Sequence, residues 1–402
     1  MAGPLEGIRV LDLTANVMGP FATLQLADMG ADVWKVEAPS GDAMRNVGPA
    51  RNRGMGAVFL HLNRNKRSIV LDLKSPEGIV ALHRMIDSVD VLIYSLRPQA
   101  MARLGLTYAE VSKRNPAIIY CGAFGFGQEG PYAGRPAYDD LLQAASGAAA
   151  AQGRKVGPPQ YAATPFCDRS VGLAAAMAVS AALVARERTG KGQEVEVPMF
   201  ETFSQLVMGD QMYGLTFNPP IGDWGYARSM DPNRRPFETA DGRYVAVNMY
   251  IDKHWHTFFD LSGNESMKTD PRYVDVHARQ DHQAELYDFL IDVMRTKPAD
   301  EWLKILVEAD IPAIEAHTPE SLLTDEHMTA VGFFVDEDHP SEGSVRAMAP
   351  PQRFNGERGE LRLPTPQLGE NTAEILAEAG FSEEEIAALV LTAPSPTVSS
   401  RT

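Results

Sequence analysis

The sequence predicts an α/β protein: a parallel sheet flanked by helices, followed by a smaller second domain. Three observations predict it. Residues 7–125 alternate short apolar runs with amphipathic segments. Those runs are apolar on both faces, as strands covered on both sides must be. Near residue 215 the character changes to loop chemistry, with Asn218-Pro219-Pro220 and Asp231-Pro232-Asn233, before a new hairpin and helical pattern.

Taken in order, Ile8–Leu13 reads as the first strand. Phe21–Met29 reads as a helix, with apolar residues at Phe21, Leu24, Leu26 and Met29 and Gly30 as its stop. Asp32–Val36 and Ser68–Leu73 are further strands. Ser75-Pro76-Glu77 starts a helix well, because Ser caps, Pro suits the first position and Glu opposes the dipole. Asp90–Tyr94 and Ala117–Gly122 are two more strands. Val171–Ala185 is a helix of small apolar residues fit for close packing, and Glu196–Met208 continues as strand or helix. Phe237–Thr239, the Asp241-Gly242 turn and Tyr244–Val247 form a hairpin signal. Helical patterns follow at 254–261, 283–294 and 299–308. Beyond Val331 the chain is turn-rich and β-like, Ser382–Glu385 is a capping box, and 394–402 reads as disordered. The boundaries are 1–219 for the first part of the large domain, 220–325 for the small domain and 326–402 for the return.

Composition narrows the function. A formal net charge of −16 makes a poor binder of nucleic acid or anionic membrane, though a local cluster of Arg and Lys still suits an anionic ligand. Two cysteines without a CxxC pair point to neither a disulfide framework nor a zinc ribbon. The N-terminus lacks signal-peptide character, and the longest apolar run, Val171–Val184, is short for a membrane helix. A cytoplasmic protein without a membrane span is the expectation. The first βα turn, Thr14–Pro20, has no GxGxxG, and neither a Walker A loop nor a GxSxG elbow occurs. His254-Trp255-His256 puts its two imidazoles on different helix faces, so no metal site is expected.

Two features carry possible chemistry. Lys74, Arg97 and Arg103 follow strands, where the crevice of an open α/β sheet gathers ligands, and can converge there on phosphates. The alternative is that they are solvated charges at helix ends. Asp168, in Pro165-Phe166-Cys167-Asp168-Arg169-Ser170, stands at the start of the alanine-rich helix. The dipole there favours an ionised carboxylate, which serves either as an ordinary cap or as a covalent nucleophile. Local sequence does not choose.

The chain as a whole resembles the class III coenzyme A-transferases, the family of formyl-CoA transferase and carnitine CoA-transferase, with 2-methylacyl-CoA racemase as a sister. The resemblance rests on Pro4–Asp12, Gly30–Glu37, Asn65–Lys74, Arg135–Asp139, Asp168–Gln193 and Leu368–Asn371, in that order. It implies an interlocked homodimer with a Rossmann-like large domain and an inserted small α+β domain. It implies that Asp168 is the catalytic nucleophile, carrying CoA between carboxylic acids through an anhydride and an aspartyl-CoA thioester. Acyl-CoA and a small carboxylic acid are then substrates, with no permanently bound cofactor. By resemblance Leu71 and Lys74 lie along the CoA nucleotide and Arg103 binds its phosphates. Val17 and Met18 approach the pantetheine, and Tyr138 and Asp139 line the thioester end.

The chain also departs from the pattern. Ala38 and Ser95 replace an Arg and an Asn of the formyl-CoA branch, and Gly222-Asp223-Trp224-Gly225 is a poor substitute for its glycine-rich loop. These departures speak against oxalate and formate. The racemase branch has a His where Tyr138 stands, and a phenol with a pKa of ~10 is a poor proton shuttle. The transferase reading is therefore preferred, with an acyl-CoA epimerase as the alternative.

Overall fold

The computed structural model describes residues 3–155 and 157–392. The predicted disorder of 394–402 lies outside the described residues. By packing, the chain divides into two compact units: Met1–Ala149 with Tyr161–Val207 and Thr329–Thr402, and Ala150–Gln160 with Met208–Met328.

The first unit is built on six parallel strands: β1 (Arg9–Leu13), β2 (Asp32–Glu37), β3 (Lys66–Val70), β4 (Val91–Tyr94), β5 (Ile119–Phe124) and β6 (Gln193–Pro198). Their spatial order is β3-β2-β1-β4-β5-β6. The order reverses between β1 and β4, and in such sheets ligands bind outside the carboxyl ends of the strands at that point. Alternation along each strand divides the core in two. Val10, Val33, Val91 and Ile119 face one layer, with the Met18–Asp28 and Phe166–Thr189 helices. Leu11, Trp34, Ile69 and Leu92 face the other, with the Pro76–Ile86 helix and Ile375.

The sequence finds five of these strands and leaves β6 ambiguous. The reason is physical: β6 is an edge strand with exposed Glu194 and Glu196, so it lacks a continuous apolar run. β3 ends earlier than expected, because Asp72 accepts the Lys74 N–H at 3.0 Å and turns the chain. At the opposite edge, Leu368–Asn371 covers β3. Ser68 N donates to Asn371 Oδ1 at 3.1 Å, and Asn371 N returns a bond to Ser68 O at 2.9 Å. That motif therefore shields an open strand edge.

The second unit holds an antiparallel sheet of Phe237–Glu238, Tyr244–Val247 and Ala313–Glu315, which contains the predicted hairpin. Helices Asp252–Leu261, Gln283–Met294 and Ala299–Glu308 bury Trp255, Phe258, Leu290 and Trp302 against it. Trp255 of His254-Trp255-His256 is thus a core residue. Among the described residues no group of three or more His, Cys, Asp and Glu is placed to hold a metal.

Candidate active site

The Phe166–Thr189 helix is longer than the apolar run that announced it. It has 24 residues and ends at Gly190, whose φ of 68° is the left-handed stop that glycine favours. By length and composition it could cross a membrane, which corrects the expectation that it is too short. One of its faces packs in the core. A Cβ on Gly172 would lie 2.8 Å from the backbone oxygen of Met18, so only glycine allows the Met18–Asp28 helix this close. Asp168 stands one turn before Gly172, hence on the same helix face as that contact.

Asp168 does not cap its helix. Pro165 occupies the cap position and Asp168 the first turn. The backbone N–H of Asp168 donates instead to Asp139 Oδ1 at 2.9 Å. Asp139 begins the Asp139–Ala145 helix, and the Gln143 side-chain amide donates to its other oxygen. Gln143 Oε1 in turn accepts the Ala162 N–H at 2.9 Å. One carboxylate, clamped from both sides, thus fills the positive end of the helix while a second stands beside it.

The consequence is electrostatic. Burial pushes the Asp168 carboxyl up, the neighbouring Asp139 charge pushes it further, and Arg169 only partly offsets them, leaving it at about 7. The dipole at the helix start favours ionisation, but burial is the larger effect, and the Asp168 N–H is taken by Asp139. Arg169 lies over the Phe21 ring, 4.5 Å from its centroid, and is itself partly desolvated. The adjacent Cys167 is fully buried, and burial with the nearby Asp139 and Asp168 raises its thiol, so it is no competing nucleophile.

The two loops at the sheet reversal are tied together. Ala15 N donates to Ser95 Oγ at 3.1 Å, across the carboxyl ends of β1 and β4. Asn16 has a φ of 66°, and its N–H meets Asp42 Oδ1 at 3.3 Å. Beneath them lies a buried charge network. Lys35 Nζ donates to Thr14 O at 3.1 Å and pairs with Asp42 at 2.9 Å. Asp12 accepts the Thr14 N–H and the Thr23 hydroxyl, with Lys66 at 3.4 Å. Burial pushes Asp12 up, but Lys66, Lys35 and the two hydroxyls win and hold it low. Burial pushes Lys66 down to about 7.

The other predicted residues fall as follows. Val17 and Met18 are buried at the start of the first helix, with Met18 in the core. Leu71 is buried beyond β3, and Lys74 is exposed in the turn after it. Arg97 and Arg103 are exposed at the two ends of the short Pro98–Arg103 helix after β4. Tyr138 is 64% exposed and occupies the N-cap position of the helix that Asp139 begins, without a side-chain cap bond. Lys74 and the two arginines follow strands that are not neighbours: β2 and β1 stand between β3 and β4, a separation of ~14 Å at the usual strand spacing. The other basic residues near β3 are structural. Arg64 pairs with Asp28, and Arg67 with Asp32, Glu374 and Glu378. Sequence reasoning missed Gln143. The signal was present, since Gln143 is four residues after Asp139 on one helix face.

The family whose model matches residues 5–372 is CoA-transferase family III. An acyl-CoA transferase of Fusarium pseudograminearum is 34% identical over 396 residues, covering 96% of this chain and 87% of that protein. A succinate–glutarate CoA-transferase of Agrobacterium fabrum is 32% identical over 386 residues, covering 93% and 95%. The crystal structure of a CAIB/BAIF family protein from Brucella suis superposes with a TM-score of 0.80 at 30% identity, over 94% of this chain and 100% of that one.

Proposed function

This chain belongs to CoA-transferase family III, an enzyme family that moves CoA between acids, and we propose that it does so through covalent catalysis at Asp168. The observation that carries the reading is the position of Asp168. It is half-buried in the first turn of a helix packed against the Met18–Asp28 helix, with a carboxyl raised to about 7. Near neutral pH a large fraction is ionised, and a carboxylate of raised pKa is the more nucleophilic one.

Asp168 Oδ attacks the donor thioester carbonyl and expels CoA thiolate, leaving a mixed anhydride. The thiolate attacks the aspartyl carbonyl, which gives an aspartyl-CoA thioester and frees the donor acid. The acceptor carboxylate attacks that thioester and again expels the thiolate. The thiolate then attacks the acceptor carbonyl, releasing the new acyl-CoA and regenerating Asp168. Asp139 and Gln143 hold the helix N-terminus and orient Asp168. Val17, Met18, Leu71, Lys74, Arg97, Arg103 and Tyr138 are proposed to line the path of CoA, with the Ala15–Ser95 bridge as its floor. The separation of β3 from β4 supports an extended ligand over a single compact phosphate cluster.

A cytoplasmic homodimer is part of the proposal, with domains at 1–219, 220–325 and 326–402. In its favour, Phe166, Leu173, Met177 and Val184 form an exposed apolar stripe along the Phe166–Thr189 helix, fit for a second chain.

The test is mass spectrometry of the peptide carrying Asp168 after incubation with a panel of acyl-CoAs. A CoA or acyl adduct on Asp168 is expected. Deuterium wash-in at the substrate α-carbon without an adduct would replace this reading with the epimerase.

A further inference from the structure

The second unit contains a cationic cavity that the reaction above does not use. It has a volume of about 280 Å³, and Arg228, Arg234 and Arg235 line it together with Asn248. Phe237, Trp255 and Leu290 give it an apolar floor.

The pairing of arginines in this unit is uneven. Arg243 holds Glu315 and Asp300, Arg272 holds Asp270 and Glu285, Arg279 holds Asp252, and Arg295 holds Glu238. Among the described residues, the three arginines of the cavity have no carboxylate partner. In a chain of net charge −16, carboxylates are in surplus, so three unpaired guanidiniums on one cavity are not a shortage of partners. Arg228 is held by neutral groups alone, donating to Asn248 Oδ1 at 2.7 Å and to the Tyr250 hydroxyl at 2.9 Å. Hydrogen bonds from Arg228 and Asn248, with the Arg228 and Arg234 charges, hold the Tyr250 phenol below its usual range.

The turn carrying Arg234 and Arg235 is also built. Arg154 donates to Pro232 O at 3.0 Å and to Arg234 O at 3.4 Å. Asn233 Nδ2 donates to Asp288 Oδ1 at 2.9 Å, and Asn233 N to Asp231 Oδ1 at 2.8 Å. Asp231 accepts within its own loop, and its charge also reaches Tyr287 on the cavity wall. A fixed turn presents the charges at little cost in ordering, which is the condition for a binding site.

We infer that this cavity binds the carboxylate of a small organic acid, held by Arg228, Arg234 and Arg235 with its carbon chain on the apolar floor. Guanidinium forks match a carboxylate, and the aromatic floor suits methylenes better than it suits a bare inorganic anion. Size narrows the ligand further. The volume lies just below the usual range of ligand sites, about 300 to 1,000 Å³, so a few carbons fit and a CoA nucleotide does not.

Calorimetric titration of the full chain with succinate, in the absence of any thioester, tests this independently of turnover. The comparison set is wild type, Arg228→Gln, the double variant Arg234→Gln/Arg235→Gln, and Arg272→Gln as a control that removes a paired charge from the same unit. Arg234 and Arg235 are exposed and unpaired, so the double variant keeps its fold, and an unchanged Tm verifies that. A succinate site is expected whose affinity falls at least roughly tenfold in both cavity variants and is unchanged in the control. Succinamide is expected not to bind there. The proposal fails if the only succinate isotherm is indifferent to the cavity arginines, or if no heat is seen. Inorganic phosphate binding as tightly as succinate, with loss in the same variants, overturns the organic-acid assignment in favour of a simple anion site.

Discussion

The Asp139 carboxylate accepts the backbone N–H of Asp168 at 2.9 Å, and the two side chains are therefore forced into each other's field. A helix N-terminus ordinarily stabilises one carboxylate. Here it holds Asp139, and Asp168 meets burial and a like charge with only Arg169 in opposition. The arrangement has consequences for pH, stability and packing.

The first concerns rate against pH. If Asp168 acts as the ionised nucleophile, kcat/KM rises with pH and levels off above an inflection near the raised value of about 7. Asp139→Asn removes the like charge, so the inflection moves down, by roughly one unit. An inflection that stays in place in this variant would show that Asp168 does not feel Asp139.

The second concerns stability. The folded pKa of Asp168 lies above its unfolded value, so the folded state binds more protons between the two. Ionisation then destabilises the fold. The penalty is absent below the usual carboxylate range, grows as pH rises toward 7 and is complete above it. Asp168→Asn should therefore unfold at higher urea than wild type at pH 8, with the gain shrinking as pH falls toward 4. The same variant should lose at least about a thousandfold in turnover. Urea titrations at the two pH values and a transfer assay check both halves.

Helix contact supplies a third. Gly→Ala inside a helix ordinarily gains up to about 1 kcal/mol. At Gly172 the new methyl would meet Met18 O at 2.8 Å, and overpacking of that kind costs about 1–3 kcal/mol, so the loss wins. Gly209, inside the Met199–Gln211 helix, has nothing within 4 Å, so its replacement by Ala should stabilise. Opposite signs in Tm for Gly172→Ala and Gly209→Ala are the expected result.

The fourth tests the charge network under the binding loops. Lys35→Met removes the bonds to Thr14 O and Asp42 and leaves buried carboxylates short of a partner. Breaking such a pair costs about 3–5 kcal/mol. Because Thr14–Asn16 forms the proposed floor for CoA, KM for acyl-CoA should rise in the variant even at temperatures where it remains folded. A change in stability without a change in KM would confine Lys35 to the core.

Much of the fold was legible because its signals are local. Apolar runs marked β1 to β5, the Ser75-Pro76-Glu77 start produced a capped helix, and Ser382 and Glu385 cap each other as their spacing predicts. β6 was not legible, because an edge strand with glutamates on its open face carries no continuous apolar run. That Asp168 stands at the start of a close-packed helix was likewise in the sequence, whereas the beginning of that helix at Phe166, which puts Asp168 inside the first turn and not at the cap, was not.

Its charge state was not. Whether a carboxylate at a helix N-terminus is held ionised depends on what else reaches that terminus, and Asp139 arrives from 29 residues away. The sheet order decided the rest: it set β3 apart from β4, spreading Lys74 and Arg103, and brought Ser95 to Ala15. Sequence by itself determined which residues prefer helix, strand or turn, since those preferences act within a few residues. Field and proximity act through space, so only the tertiary structure decided which carboxylate holds the helix and which one carries the raised pKa.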